Sequence, residues 1–371
     1  MKVHSAAGEK VSSRLWAIIL LELTSHCNFS CDFCPSDSLG RPRARMRREL
    51  WEKVLTEVGD KKLARTVFFH QLGEPLLHPE VFEAIEFAIL QGLSVSLYTN
   101  GALLDEKHSD RLIRSLTKGR VVLSLQDIRP EAFEARSRGA MSWEEYVARI
   151  RDFLVKADIA GLPVQVHCLA DVRAIGWDAH KALEEHRAIK RVYGGFAKSL
   201  GGKAGHINIL NPLKAYPLGR VSTFYIKHRG TWDNQMVPPG MEVVKNKRGH
   251  CSVMRDTFVV QADGRCTFCC CDYEGALDLG NAHYASLEDI FYGDKAQRIV
   301  ASEAEGRMIE ERCQVCRGRL IDSRTKRPVL DRPFYLEYYY FREHLARYGW
   351  GSTIRKITAN VRRRLIRAKK R

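Results

Sequence analysis

Three cysteines near the amino end, Cys27, Cys31 and Cys34, follow a C-x3-C-x2-C spacing in the run Glu22-Leu-Thr24-Ser-His26-Cys27-Asn28-Phe-Ser-Cys31-Asp-Phe33-Cys34. Three thiolates this close in sequence converge on one metal centre and leave a coordination position open. A structural zinc site wants a fourth ligand, for which the adjacent His26 is the nominee; an iron–sulfur cubane with one unligated iron fits the count better. A second set, Cys251, Cys269, Cys313 and Cys316, follows C-x17-C-x43-C-x2-C, with Cys266, Cys270 and Cys271 as competing thiols. Four thiolates close a site, so this set predicts a fully ligated centre, with a four-cysteine zinc ribbon as the alternative. Neighbouring Cys270 and Cys271 point to opposite sides of an extended chain, so at most one of them reaches that centre. Cys266 and Cys168 read as packed thiols.

The elements that must position these groups alternate. Likeness to strands falls at Ala17–Leu23, Thr66–Phe69, Val95–Thr99, Val121–Leu125, Pro163–Leu169 and His206–Leu210, with helical patterns at Leu50–Val58, Pro79–Gln91, Glu106–Leu116 and Trp143–Ala157. The last opens on Ser142-Trp-Glu-Glu145, a capping box. Repeated strand-then-helix units imply parallel strands joined by crossovers, hence an α/β sheet or a full or partial barrel, whose carboxyl-end loops carry reactive groups. After about Asn211 a Pro/Gly/aromatic connector leads to the second cysteine set, where Phe258–Gln261 and Arg265–Phe268 flank an Asp263-Gly264 turn and predict a β-hairpin.

The first cysteine spacing, with an aromatic just before its third member, resembles the radical S-adenosylmethionine enzymes. Gly73-Glu74-Pro75 after the second strand matches that family's motif for the cofactor's amino group, and Tyr98-Thr99-Asn100-Gly101 ends the third strand in family style. Ser124, and Arg138 before Gly139, stand where the family contacts the cofactor's carboxylate and ribose, and Phe33 is expected near the adenine. Leu72 replaces a glycine that the family often has. The resemblance runs from Trp16 to about Leu210. It implies a partial (βα)6-type barrel, S-adenosyl-L-methionine and a [4Fe–4S] cluster on Cys27, Cys31 and Cys34, and a 5′-deoxyadenosyl radical that takes a substrate hydrogen atom.

The second set resembles the twitch variant of the SPASM extension of these enzymes, through the hairpin cysteines, Leu279-Gly280-Asn281, Ser286–Ile290 and the final C-x2-C; in spacing it is most similar to an aminocyclitol dehydrogenase of that group. The resemblance implies a small C-terminal cysteine-rich hairpin/helix domain with an auxiliary [4Fe–4S] cluster on Cys251, Cys269, Cys313 and Cys316. The expected division is 1–15 an extension, 16–211 the barrel, 212–250 a connector, 251–320 the auxiliary domain and 321–371 an aromatic and basic tail. A second cluster is a natural electron acceptor, so oxidation of a hydroxyl-bearing carbon of a carbohydrate or aminocyclitol is the leading chemistry. If a thiol such as Cys270 returns a hydrogen atom, the outcome is epimerisation; peptide modification uses the same clusters. A basic iron–sulfur binding protein without turnover is the reading of another class.

Composition agrees with an enzyme. The 371 residues are 45% hydrophobic and 28% charged, without the apolar run of a membrane span or a secretory signal, so a cytoplasmic protein is expected. Eleven cysteines in a reducing compartment point to metal before disulfides. Of the formal charge of +16, nine positive charges fall between Gly351 and Arg371, where no acidic residue occurs. There Ile354, Ile357, Val361, Leu365 and Ile366 share a helical face, which Phe334–Phe341 could anchor. This basic amphipathic helix suits an acidic partner or the inner membrane face, or docking on its own body. A small-molecule or peptide substrate and an external electron donor such as flavodoxin or ferredoxin complete the expected partners. His250 and Trp232-Asp233-Asn234 are candidates to line the substrate cavity.

Overall fold

The computed structural model describes residues 16–170, 179–209, 211, 214–228, 234–251 and 253–329. The tail, Phe334–Phe341 and Trp232-Asp233 lie outside them. Strand β1 (Ile18–Leu21) is wholly apolar because it is covered on both faces, and it pairs in parallel with β2 (Thr66–Phe69). The parallel order continues through β3 (Ser94–Thr99), β4 (Gly119–Gln126) and β5 (Val164–Ala170). Helices α1 (Arg48–Asp60), α2 (Val81–Leu90), α3 (Glu106–Ser115), α4 (Pro130–Ser137) and α5 (Trp143–Ala160) make the crossovers. On β5 the alternation is clean. Val164, Val166, Cys168 and Ala170 are fully buried under the helical layer, while Gln165, His167 and Leu169 face inward. Cys168 is thus a packed thiol.

The sixth parallel strand is not His206–Leu210, of which the described part is irregular chain. After β6 (Ala215–Pro217), β7 (Thr223–His228) takes that place, pairing in parallel with β5 and antiparallel with β6. The Pro217-Leu-Gly219 sequence that looks like a connector is the turn between these two strands, and Asp158 of α5 holds it by accepting from the amides of Arg220 and Val221 at 3.1 and 3.0 Å. Ser142 caps α5 by accepting from the Glu145 amide at 3.2 Å, whereas the Glu145 carboxylate turns to Arg149 at 3.2 Å, so the capping box is half made.

After β8 (Met241–Val244), the expected hairpin forms from β9 (Thr257–Val260) and β10 (Arg265–Thr267), with Gly264 at φ +86° in its turn. Two further strands follow, β11 (Gly280–Asn281) beside β10 and β12 (Arg319–Asp322) beside β8. Strand β9 also pairs in parallel with β1, so hairpin and barrel share one ten-stranded sheet. Trp16 seals this junction by stacking on Phe258 at 4.5 Å and meeting Phe291 edge-on at 5.3 Å. No helix among the described residues is long and apolar enough to cross a membrane.

At the carboxyl end of β1, Glu22 is buried and grips Arg41 through both oxygens, at 2.6 and 2.8 Å. It also accepts from the amides of Leu72 at 3.3 Å and Ala262 at 3.0 Å, and Arg41 Nε donates to the Tyr273 carbonyl at 2.6 Å. Burial pushes the Glu22 carboxyl up, and Arg41 and the two amides pull against it. Removing one member of a buried pair strands the other charge, at about 3–5 kcal/mol. Glu22→Ala should therefore lower the urea-unfolding midpoint sharply, while Glu305→Ala, which breaks an exposed pair with Arg307, should leave it in place.

Candidate active site

The loop after β1 is set by its own backbone. Ser25 and Ala44 exchange hydrogen bonds at 3.0 and 2.8 Å, the Met46 amide donates to Leu23 at 2.8 Å, and the Cys34 amide closes a turn on Cys31 at 2.9 Å. Cys27, Cys31 and Cys34 thereby line one cavity of about 330 Å³, together with Phe33, Gly73, Glu74, Asn100 and Ser124. Pro75 stands just behind, opening a short 3-10 turn that Glu74 caps. Burial raises all three thiols, Cys27 to about 11 and Cys34 to about 12; Cys27 also feels the charge of Cys31, and Cys34 the charges of Cys31 and Cys27. Thiolates persist there only when a cationic centre compensates them, which is the behaviour of cluster ligands. Among the described residues no three such donors converge on a point as a single ion requires; these thiols stand around a space.

Gly73 has φ +74°, and a Cβ on it would lie 2.1 Å from the Thr24 carbonyl, so only glycine lets the motif loop lie against the cysteine loop. The Glu74 amide completes that contact by donating to the His26 carbonyl at 2.8 Å. The Glu74 carboxylate is buried and accepts from the Asn100 amide at 2.6 Å, Thr99 Oγ1 at 2.8 Å and the Leu76 amide at 3.1 Å. Asn100 in turn donates to Asn28 Oδ1 at 2.8 Å and reaches Cys27 Sγ at 3.8 Å. Ser124 is aimed into the cavity by a bulge in β4, where Gln126 adopts φ +62°.

Arg138 is not in the cavity. It ends α4 in a left-handed conformation, and its exposed guanidinium meets Asp37 at 3.3 Å. Arg136, two residues earlier, occupies the cavity wall instead. Its guanidinium carbon lies 5.1 Å from the Phe29 ring and 5.2 Å from Phe133, Nη2 donates to the Leu125 carbonyl at 2.7 Å, and Nε and Nη1 are buried without a hydrogen-bond acceptor. Its charge draws the Cys31 thiol down against burial. A buried guanidinium beside three thiols suits a carboxylate-bearing cofactor. Helical phase carried the signal: Arg136 is three residues from the buried Phe133 and shares its face, whereas Arg138 lies past the helix end.

The second set also assembles. Cys313 and Cys316 lie three apart on the helix Glu311–Cys316 and line one pocket with Cys251 and Cys269, over an apolar floor that includes Met254 and Phe268. Cys313 is pushed up to about 12 by burial and by the other three thiols. Cys271 lines this pocket as a fifth thiol; Cys270 does not, and its charge bears on Tyr98 at the first cavity. Cys266 is packed in the core. Arg312 borders the pocket, with Nε 2.9 Å from the buried Asp272. Neither connector candidate reaches the first cavity. Asn234 donates to the carbonyls of Val315 and Cys316, at 3.1 and 3.4 Å, and His250 is exposed beside Glu303.

Gln71, on the first cavity, joins the two regions. Its amide reaches the carbonyls of Cys269, Cys270 and Asp272 at 3.4, 3.2 and 3.2 Å, and accepts from Gln261 at 3.0 Å. Burial outweighs the three donors to Glu74 and raises it to about 7 from 4.5. The native chain then holds a proton that the unfolded chain has lost between those values, so this contribution is full below pH 4.5 and vanishes as pH rises through 7. Urea unfolding of the metal-free protein at about pH 5 and pH 8 should show a stability loss in the wild type that shrinks by roughly 3 kcal/mol in Glu74→Gln.

The family model for the Radical SAM superfamily matches residues 21–159, and that for the SPASM iron-sulfur cluster-binding domain matches residues 251–317. A probable GTP 3',8-cyclase of Methanothermobacter marburgensis is 26% identical over 181 residues, 46% of this chain and 55% of that protein. A PqqA peptide cyclase of Xanthomonas oryzae pv. oryzae is 27% identical over 192 residues, 52% of this chain and 46% of that protein. The chain thus spans about half the length of these curated relatives. The solved structure of native anSMEcpe with bound AdoMet is 17% identical, aligns with 93% of this chain and 100% of its own at a TM-score of 0.50, and bears on the fold alone. The two domains imply S-adenosyl-L-methionine, a [4Fe–4S] cluster and auxiliary iron–sulfur binding. Residues 21–159, which run from the end of β1 through β4 into α5, thus carry a radical SAM domain, and residues 251–317, with the hairpin cysteines, carry a SPASM domain.

Proposed function

We propose that this radical SAM enzyme oxidises a hydroxyl-bearing carbon of a small, carbohydrate-like substrate. The observation that carries the reading is the pair of thiol-lined pockets, three thiols open to a large cavity and four or five in a small one, joined through Gln71. When bound, the cofactors supply the one-electron cleavage that yields a 5′-deoxyadenosyl radical, the removal of a substrate hydrogen atom, and an acceptor for the electron that remains. Cys27, Cys31 and Cys34 would hold the cluster that meets S-adenosyl-L-methionine, and Cys251, Cys269, Cys313 and Cys316 the auxiliary one. In the first cavity Gly73, Glu74 and Asn100 would seat the cofactor's amino end, Ser124 its ribose, Arg136 its carboxylate and Phe33 its adenine. Pro75 fixes the loop behind them, and the apolar wall of Leu72 and Phe29 excludes water. An electron donor of the flavodoxin or ferredoxin class would serve the first cluster.

One observation favours a second reading. Cys270 is not among the residues lining the auxiliary pocket, its Sγ lies 3.9 Å from that of Cys271, and its charge bears on Tyr98 at the first cavity, where a hydrogen atom returned to the substrate would give epimerisation. In that reading Cys270→Ser abolishes incorporation of solvent deuterium into product; in the leading one the product has lost two hydrogens and carries no solvent deuterium in either protein.

Anaerobically reconstituted, reduced protein should convert S-adenosyl-L-methionine to 5′-deoxyadenosine, and Arg136→Gln should weaken cofactor binding while Arg138→Gln leaves it unchanged. Replacing Cys27, Cys31 and Cys34 together by Ala should leave about half the iron, since each cluster depends on its own thiolates. No 5′-deoxyadenosine with cluster and cofactor both bound rejects the radical reading.

A further inference from the structure

The cysteine triplet of the auxiliary hairpin reverses direction within itself. The Asp272 amide donates to the Cys269 carbonyl at 3.0 Å, closing a turn with Cys270 and Cys271 at its tip. The reversal brings Cys271 to the side of Cys269, and both line the auxiliary pocket with Cys251, Cys313 and Cys316. Cys270 does not line it, although its Sγ lies 3.9 Å from that of Cys271. Five thiols therefore border one pocket, whereas a [4Fe–4S] cluster is closed by four. After burial, the charges of Cys269, Cys251 and Cys316 raise the Cys313 thiol, which marks these four as the resting ligand set.

The turn is clamped to the helix that carries two of those ligands. Arg312 sits beside Cys313 on the helix Glu311–Cys316; its Nη2 donates to the Cys271 carbonyl and its Nε lies 2.9 Å from Asp272 Oδ1. Asp272 is buried and held in turn by Thr267 Oγ1 at 2.8 Å and by the amides of Ala276 and Leu277 at 2.9 and 3.0 Å. The backbone of residues 271 and 272 is thus pinned beside Cys313, so the Cys271 side chain stays at the pocket whether or not Cys269 occupies the site.

We propose that Cys271 is an alternate ligand of the auxiliary cluster, able to take the iron that Cys269 holds. The step is a ligand substitution: the iron–sulfur bond to Cys269 breaks, one to Cys271 forms, the Cys271 proton passes to the departing thiolate, and no electron changes hands. The inference deepens the reading above and rests on its auxiliary cluster, not on its reaction.

The test counts iron in the full chain after anaerobic reconstitution, with no turnover. The amino-terminal cluster, on its own three cysteines, supplies the same share in every protein compared. Cys269→Ala should hold as much iron as the wild type, and Cys269→Ala combined with Cys271→Ala should lose about half. Cys269→Ala combined with Cys270→Ala should lose none, which separates the two neighbours. A second measure is alkylation by iodoacetamide without oxygen, located by peptide mass spectrometry: Cys271 should be labelled in the loaded wild type and several times more slowly in loaded Cys269→Ala. Loss of iron from Cys269→Ala, alone or with Cys270→Ala, retention of all iron by the variant lacking Cys269 and Cys271, or labelling of Cys271 at the same rate in wild type and Cys269→Ala overturns the proposal. A wild type that takes up only the amino-terminal share of iron sinks the auxiliary cluster itself, a failure distinct from a wild type that is fully loaded and a Cys269→Ala that is not.

Discussion

The contact on which most of the molecule hangs is the buried pair between Glu22 and Arg41. One carboxylate at the end of β1 binds Arg41, the amide of Leu72 beside the Gly73-Glu74-Pro75 loop and the amide of Ala262 in the auxiliary hairpin, while its arginine reaches the carbonyl of Tyr273. Four segments far apart in sequence therefore share a single ionic node. In a low-dielectric interior such a node tolerates little displacement, because any member that moves leaves an unsatisfied charge or amide behind. It fixes the heights of the cysteine loop, the motif loop and the hairpin relative to one another.

Around that node the two thiol sets are arranged for different work. The amino-terminal trio opens on a large cavity whose other groups are polar and engaged, Glu74 with three donors and Asn100 with Asn28. The carboxyl-terminal set lies over Met254, Phe268 and Leu277, bordered by Arg312 and Arg317. Gln71 and Gln261 run between them as a chain of amides, so the peptide carbonyls next to Cys269 and Cys270 are hydrogen-bonded to a residue of the first cavity. The partition fits one centre that must admit small molecules and another that must only exchange electrons.

Much of this was legible in the sequence because the informative signals were local. Thiol spacing, Gly73 at a left-handed turn and the Asp263-Gly264 hairpin are each set within a few residues of chain. What escaped depends on phase or on distant pairing. Arg138 looked suitable by position, yet the end of α4 turns it to Asp37 and leaves Arg136 on the face with Phe133. The sixth strand hid in a Pro/Gly-rich stretch because the strength of β7 comes from pairing with β5 rather than from its own pattern, and His206–Leu210 had strand-like residues without a neighbour to pair with. The ring contacts among His70, Tyr98, His167 and Tyr225 join the residue just after β2 with β3, β5 and β7, and only the register of the sheet brings them together.

The parallel pairing of β9 with β1 bears on how the molecule can be cut. The hairpin is sewn into the edge of the barrel rather than hung from it on a tether, so excising the C-terminal module would bare the backbone of Ile18–Leu21 and the ring of Trp16 at once. A raw, apolar margin of that kind invites strands from other molecules, and the amino-terminal half expressed alone would gather into aggregates instead of behaving as a smaller catalyst.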